Sequence, residues 1–415
     1  MVVIGIIGEY NPFHLGHAYH IRKSRELVGG SPPVVCVMSG CFVQRGEAAL
    51  FSPQARAAAA VAGGADLVLE LPVPWALASA EGFARGGVGL LESLGVVTHL
   101  SFGSESGDTM GLEMLAMSLL EPEFQSRLQS RWTDETQSYA AVRQALLREE
   151  LGSVADRLED PNDILAVEYI KAIKSLGSGM FPLAVPRVGA AHDETQEGPK
   201  RKSLLHRAQE EKLVELRSAS SLRGMIREGE DPTPFLPAAS LPALRNEESQ
   251  GIGPVDPERL EIAMLSRLRR VTEEEMAALP DATGGLDRRL FEAARQQPGL
   301  DAILAAAKSK RYAMSRLRRM CCCAALGITA AANAGTPPYA RVLAANETGR
   351  GLLRTVGERA TLPVLTKPAA VRELSAACQE VFRLESEAYD LWRLAAPGLE
   401  ARTGGSAWRQ SPYMG

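Results

Sequence analysis

The chain opens on an apolar run, Val2 to Ile7, and four more runs of the same kind follow: Pro33 to Met38, Ala65 to Leu71, Val96 to Phe102 and Phe181 to Pro186. Each is short, rich in Val, Ile and Leu, and gives way to a polar or glycine-containing turn. Such runs, separated by helix-length segments, predict an α/β domain built on a Rossmann-like parallel five-stranded sheet covered on both faces. Sheets of this type take ligands at the carboxyl ends of their strands. The segments GEYNPFHLGH, SGCFVQRGE, ELP, FGSESGD and PRVG are therefore expected along one edge.

Between the fourth and fifth strands, EDPNDILAVEYIKAIKSLG places Ile164, Val167, Ile170 and Ile173 at roughly helical spacing, with Asn162 or Asp163 as the cap. A passage rich in Pro, Gly and Glu, from Arg227 to Leu260, reads as a domain boundary. Downstream the pattern is nearly all helical, as in ERLEIAMLSRLRRV, where Leu260, Ala263, Met264, Leu268 and Val271 share one stripe. The expected organisation is a nucleotide-binding catalytic domain over 1–228 and a mostly α-helical domain over 229–415.

Composition narrows the function classes. With 415 residues, 45% of them hydrophobic, the chain can bury a sizeable core. A net charge of -4 gives no global attraction to nucleic acid or anionic membrane, so any such binding must come from a local basic patch. No secretory leader and no membrane span is expected, which points to the cytoplasm. The six cysteines show no metal-ligand spacing and read as buried residues in a reduced compartment.

Three of only six histidines fall in seven residues, at His14, His17 and His20, directly after the first strand. His14-Leu15-Gly16-His17 has the form HxGH at what should be the start of the first helix. A helix N-terminus offers unpaired N–H groups and the positive end of a dipole, a natural seat for phosphate. Two imidazoles there can donate to an α-phosphate as charge builds on it during nucleophilic attack. A glycine between them lets a nucleotide approach the backbone. Two other phosphate motifs are absent or poor: there is no GxxxxGK[ST], and ARGGVGLLESLG lacks a preceding strand.

The segment Arg217-Ser218-Ala219-Ser220-Ser221-Leu222-Arg223 starts a helix after the fifth strand. Ser218 and Ser220 can cap it or donate to phosphate, and Arg223, one turn in, can reach the β- and γ-phosphates. Together with HxGH it forms the second half of an ATP site.

HxGH with a late serine-and-arginine segment resembles the nucleotidyltransferase superfamily that includes class I aminoacyl-tRNA synthetases. The longer strings GIIGEYNPFHLGHAYH, VMSGCFVQRGE, GADLVLELP, FGSESGD, NDILAVEYIKA, RSASSLR and KSKRYAMSRLRRM resemble the tRNA(Met) cytidine acetate ligase (TmcAL) family from the N-terminus to about Arg354. The resemblance implies ATP-dependent activation of acetate as acetyl-adenylate, with magnesium accompanying the ATP, and acetyl transfer to N4 of the wobble cytidine of elongator tRNA(Met). It carries the ATP-binding segment onto Ile7, Gly8, Glu9, Tyr10, Asn11, Pro12, Phe13, His14, Leu15, Gly16, His17, Ala18, Tyr19 and His20. Further nucleotide contacts fall on Gly103, Asn162, Arg187 and Val188. His14, His17 and Arg223 are the expected catalytic residues, and no protein metal ligand is assigned. The chain departs from the family in having Cys41 where Asn is usual, and in lacking a lysine near Pro53.

The stretch Lys308 to Arg319 holds six cations and no anion in twelve residues. Drawn as one helix, Lys308, Arg311, Arg316, Arg318 and Arg319 share an arc opposite Ala313, Met314, Leu317 and Met320. With Lys310, these residues are the expected tRNA-binding surface, supplying affinity and register through phosphates. PKRKS, Pro199 to Ser203, is a weaker candidate. Two other readings compete: a small-molecule adenylyltransferase making a coenzyme, and a non-catalytic RNA-binding protein. The basic stretch argues against the first, and the intact HxGH against the second.

Overall fold

The computed structural model describes residues 1–132, 139–187 and 216–415. Ten strands appear among these residues: β1 (Ile4–Gly8), β2 (Val34–Ser39), β3 (Phe42–Val43), β4 (Glu47–Ala48), β5 (Leu67–Leu71), β6 (His99–Ser104), β7 (Phe181–Pro186), β8 (Ala340–Ala345), β9 (Val364–Leu365) and β10 (Tyr413–Met414). The main sheet runs β10-β8-β5-β2-β1-β6-β7, with β9 also on β8, while β3 and β4 form a separate antiparallel hairpin. All five predicted strands are present and mutually parallel, in the order β5-β2-β1-β6-β7. Their carboxyl ends accordingly meet at one edge.

The strands alternate between two cores. Ile4, Ile6, Val34, Cys36 and Met38 face one side with Phe13 and the alanines of the helix Pro53–Ala62. Val35, Val37, Leu67, Leu69 and Leu71 face the other, against the helices Ala80–Ser93 and Pro161–Ser175. Burial on both faces explains why these strands read as continuous apolar runs. ARGGVGLLESLG is no phosphate loop: Gly86, Gly87 and Gly89 lie inside the helix Ala80–Ser93, and Gly95 follows its end.

The second half is mostly helical, as expected, and it also returns three short strands to the same sheet, which the sequence reading did not anticipate. β8 pairs antiparallel with β5, and Arg341 on it meets Glu70 at 2.9 Å, both almost fully buried. The sequence of β8, ARVLAA, is alanine-rich and buried at every position, so neither strand propensity nor alternation marks it. All six cysteines are free and buried. No helix among the described residues is long and apolar enough to cross a membrane.

Candidate active site

Helix α1 (Leu15–Val28) begins where the HxGH motif stands, and His14 is its N-cap. The ring Nδ1 of His14 accepts the N–H of Gly16 at 3.0 Å, and the N–H of His14 is donated to Nδ1 of His17 at 3.2 Å. This is a capping box made of two histidines. Capping and catalysis are thus not alternatives for this motif. With Nδ1 an acceptor in each ring, Nε2 carries the proton of the neutral imidazole and is left to donate. The two rings stack with centroids 3.8 Å apart.

Burial, followed by the fields of Arg187 and Arg223, brings the His14 pKa down to about 4. His17 is pushed well below its usual value by burial and by His14, His20 and Arg187. Both rings are therefore neutral donors at pH 7, and positive charge in the site comes from arginines. Gly16 has a reason beyond backbone access: a Cβ there would lie 2.7 Å from Cε1 of His14, inside the ring that caps the helix.

These rings line a cleft of about 400 Å³ at the carboxyl edge of the sheet. From the first-strand segment it also takes Ile7, Gly8, Glu9, Tyr10, Asn11, Gly16, Tyr19 and His20. From the far strands come Gly103, Asn162 and Arg187, and from the helix Ala219–Arg227 come Ser218, Ser220 and Arg223. Four members of the predicted ATP segment do not line it. Pro12 and Phe13 are buried, Ala18 packs against the core, and Leu15 is only partly exposed outside the cleft. Val188 and the segment 199–203 lie outside the described residues.

Several partners were not anticipated. His20 is turned to Ser101, 2.9 Å from its hydroxyl. Arg223 donates to the carbonyl of Asn11 at 3.2 Å and lies 3.8 Å from Glu47. Ser218 caps its helix by accepting from Ser221, as expected. Asn162 and Asp163 are not caps, since Asp160 holds that position and Pro161 takes the first turn. Asn162 instead donates to Glu105. Asp163, fully buried, accepts from the Ser104 hydroxyl at 2.5 Å and from the N–H groups of Glu105 and Ser106, both at 3.1 Å. That fixes the loop carrying Glu105, which lies 4.0 Å from Arg187.

The cleft also contains Gln44, Arg45, Phe83, Phe102, Tyr169 and Arg217, which sequence reasoning did not single out. Beneath it the fully buried Arg56 donates to the carbonyls of Glu9, Ser39, Gly40 and Phe51, clamping the ends of β1 and β2. Cys41 is fully buried and Pro53 occupies the first helical position after the cap Ser52, so both departures from the family are packing positions here. No group of three or more His, Cys, Asp or Glu side chains among the described residues could hold a metal ion.

The expected basic helix Lys308–Arg319 is not formed as one piece. A helix ends at Ala307, and the next runs Met314–Leu326. The break follows from Tyr312, whose ring is buried with its hydroxyl on the carbonyl of Gly284 at 2.5 Å, while Lys308 folds back onto the carbonyl of Tyr312. Arg319 is buried and 3.1 Å from Asp281, Arg318 is 3.0 Å from Glu47, and Arg316 donates to the carbonyl of Asp281 at 2.6 Å. Lys308 and Lys310 are exposed and Arg311 is half-buried.

The family model for the HIGH nucleotidyl transferases matches residues 1–406. A tRNA(Met) cytidine acetate ligase of Acetivibrio thermocellus is 32% identical over 99% of both chains, and one of Fervidobacterium nodosum is 35% identical over 90% of this chain and 86% of its own. The chain belongs to the tRNA(Met) cytidine acetate ligase family. Among solved structures, Thermotoga maritima TmcAL bound with alpha-thio ATP is similar with a TM-score of 0.88 and 32% identity, covering 100% of this chain and 99% of that one. The apo form of the same protein gives 0.90 at 31% identity and the same coverage. Membership agrees with the sheet and with the likeness of the whole chain to the TmcAL structure.

Proposed function

We propose that this protein is an ATP-dependent acetate ligase, which makes acetyl-adenylate in the cleft and transfers the acetyl group to N4 of the wobble cytidine of elongator tRNA(Met). The observation that carries the reading is the pair of neutral imidazoles, each with Nδ1 tied to the backbone and Nε2 left to donate at the start of α1. Donors fixed before the reaction stabilise charge that grows on the α-phosphate without reorganising.

One acetate oxygen attacks the α-phosphorus, the bond to the β-phosphate breaks, and pyrophosphate leaves. His14 and His17 hydrogen-bond the α-phosphate oxygens, and Arg187 and Arg223 offset the charge of the departing group. Magnesium enters with the triphosphate as part of the substrate, taking most of its ligands from phosphates and water. Cytidine N4 then attacks the acetyl carbonyl, the C–N bond forms, AMP leaves and the nitrogen gives up one proton. Because this amine is a weak nucleophile, placement supplies most of the second step. Lys308 and Lys310 are the cations of this stretch best exposed to steer the RNA, and the setting is the cytoplasm.

Pyrophosphate exchange tests the reading. Exchange that requires acetate is the expected result. Exchange with a phosphorylated coenzyme precursor but not with acetate would replace it with an adenylyltransferase, and no exchange with any acid would leave an RNA-binding protein.

A further inference from the structure

We propose that Arg45 grips the triphosphate tail of the nucleotide, an assignment that rests on the reading of the cleft as an ATP site. Both imidazoles are neutral, so the tail must be met by arginines. Four arginines line the cleft. Arg187 is drawn toward Glu105, Arg223 is engaged with Asn11 and Glu47, and Arg217 lies over the ring of Phe235 at 5.0 Å. Arg45 and Arg217 have no hydrogen-bond acceptor and no ion-pair partner among the described residues, but Arg217 is exposed and its guanidinium is taken up by the Phe235 ring, whereas Arg45 has no such contact. Its charge acts on Glu9 without an ion pair, and one oxygen of that carboxylate already accepts the N–H of Gln44 at 2.9 Å.

The backbone that carries Arg45 is held in place without any ligand. It forms the turn between β3 and β4, closed by the N–H of Gly46 on the carbonyl of Val43 at 2.9 Å. One side of the turn is fixed to the cleft floor through Gln44 and Glu9. The other side is fixed to the helix Met314–Leu326, where Arg318 holds Glu47 and the Cys322 thiol donates to the carbonyl of Gly46 at 3.4 Å. Gly46 has φ +75°, and a Cβ on it would lie 2.5 Å from the backbone nitrogen of Arg319, so only glycine lets the turn sit this close. A cation on a fixed turn, free of protein partners and lining the same cleft as His14 and Arg223, is arranged for a multiply charged anion.

Binding of ATP and of AMP to the full-length protein, without acetate or tRNA, tests the assignment. Arg45→Gln should weaken ATP binding on the order of tenfold or more, the loss of one charge-assisted contact, while AMP binding changes less than about twofold by the same reasoning. Arg45→Lys should recover part of the ATP loss. Equal weakening of ATP and AMP would overturn the assignment in favour of a structural role for the turn. Unchanged ATP binding with a raised KM for tRNA would overturn it in favour of an RNA phosphate. Failure of the acetate-dependent exchange in the unsubstituted protein would instead remove the ligase reading, whatever the ATP-to-AMP ratio.

Discussion

Glu385 accepts the backbone N–H of Val73 at 2.6 Å, tying the helix Ala376–Arg393 to the end of β5 across 312 residues of chain. Its other oxygen and one oxygen of the buried Glu70 have no other donor among the described residues, so the two carboxyl groups face each other. Burial and the Glu70 carboxylate raise the Glu385 pKa well above 4.5. Its proton therefore stays on in the folded state at a pH where the unfolded chain has lost it. The unfolded state binds fewer protons, so this group's contribution to stability declines as pH rises above 4.5. Glu385→Gln mimics the neutral acid. The advantage of the native protein over that variant should shrink by up to about 1.4 kcal/mol per pH unit above 4.5, read from denaturant unfolding at several pH values.

The histidines give the opposite sign. The folded pKa of His14 and of His20 is lowered to about 4 from 6.5, so the unfolded state binds more protons between these values. Stability from these rings is present above pH 6.5 and is lost as pH falls toward 4. His20→Gln removes one titrating ring, and its unfolding free energy should lose less than that of the native protein across this window.

Cap and catalyst can be separated at His14. Asn is a good N-cap and can accept the Gly16 N–H, but it cannot place an imidazole Nε2–H in the cleft. His14→Asn should keep the melting temperature near that of the native protein while acetate-dependent exchange falls about 10²- to 10³-fold, the usual cost of a lost oxyanion donor. A matching drop in melting temperature would mean that the ring is mainly structural.

Gly63 lies against Phe13, one residue before the motif. A Cβ at Gly63 would come 2.1 Å from Cε1 of that ring. Gly63→Ala should cost about 1–3 kcal/mol in unfolding free energy and reduce exchange, because Phe13 leads directly into His14. Adding Phe13→Leu, which shortens the ring that clashes, should return part of the stability; a strictly additive double variant would show that the two sites do not meet.

The basic segment should divide by burial. Lys310→Glu, on an exposed side chain, is expected to weaken tRNA binding and flatten its salt dependence, with melting temperature and exchange unchanged. Arg319→Glu places an anion beside Asp281 inside the protein, and should destabilise by about 3–5 kcal/mol, with tRNA binding lost through unfolding.

The five parallel strands were legible because each is a buried run bounded by turns, and the edge where the site lies followed from them. The placement of His14, His17, Ser218 and Arg223 at helix starts beside the cleft was legible because helix starts impose local residue choices. The basic helix was misread because periodicity alone cannot tell that Tyr312 would be buried and interrupt it. The segment holding Arg45 was placed on the ligand edge, but the roles of Arg45 and Arg56 were invisible for another reason. Their roles depend on where β3, β4 and the helix Pro53–Ala62 come to rest, and short strands such as Phe42–Val43 leave almost no pattern.

The antiparallel β8 sets a condition on synthesis. As the chain leaves the ribosome, the sheet from β5 to β7 can assemble while the hydrogen-bonding edge of β5 that β8 later fills is still bare. Only when Ala340–Ala345 emerges is that edge closed. A nascent chain stalled before that point would expose a strand edge that is apolar except for Glu70, a template for pairing with other unfinished copies.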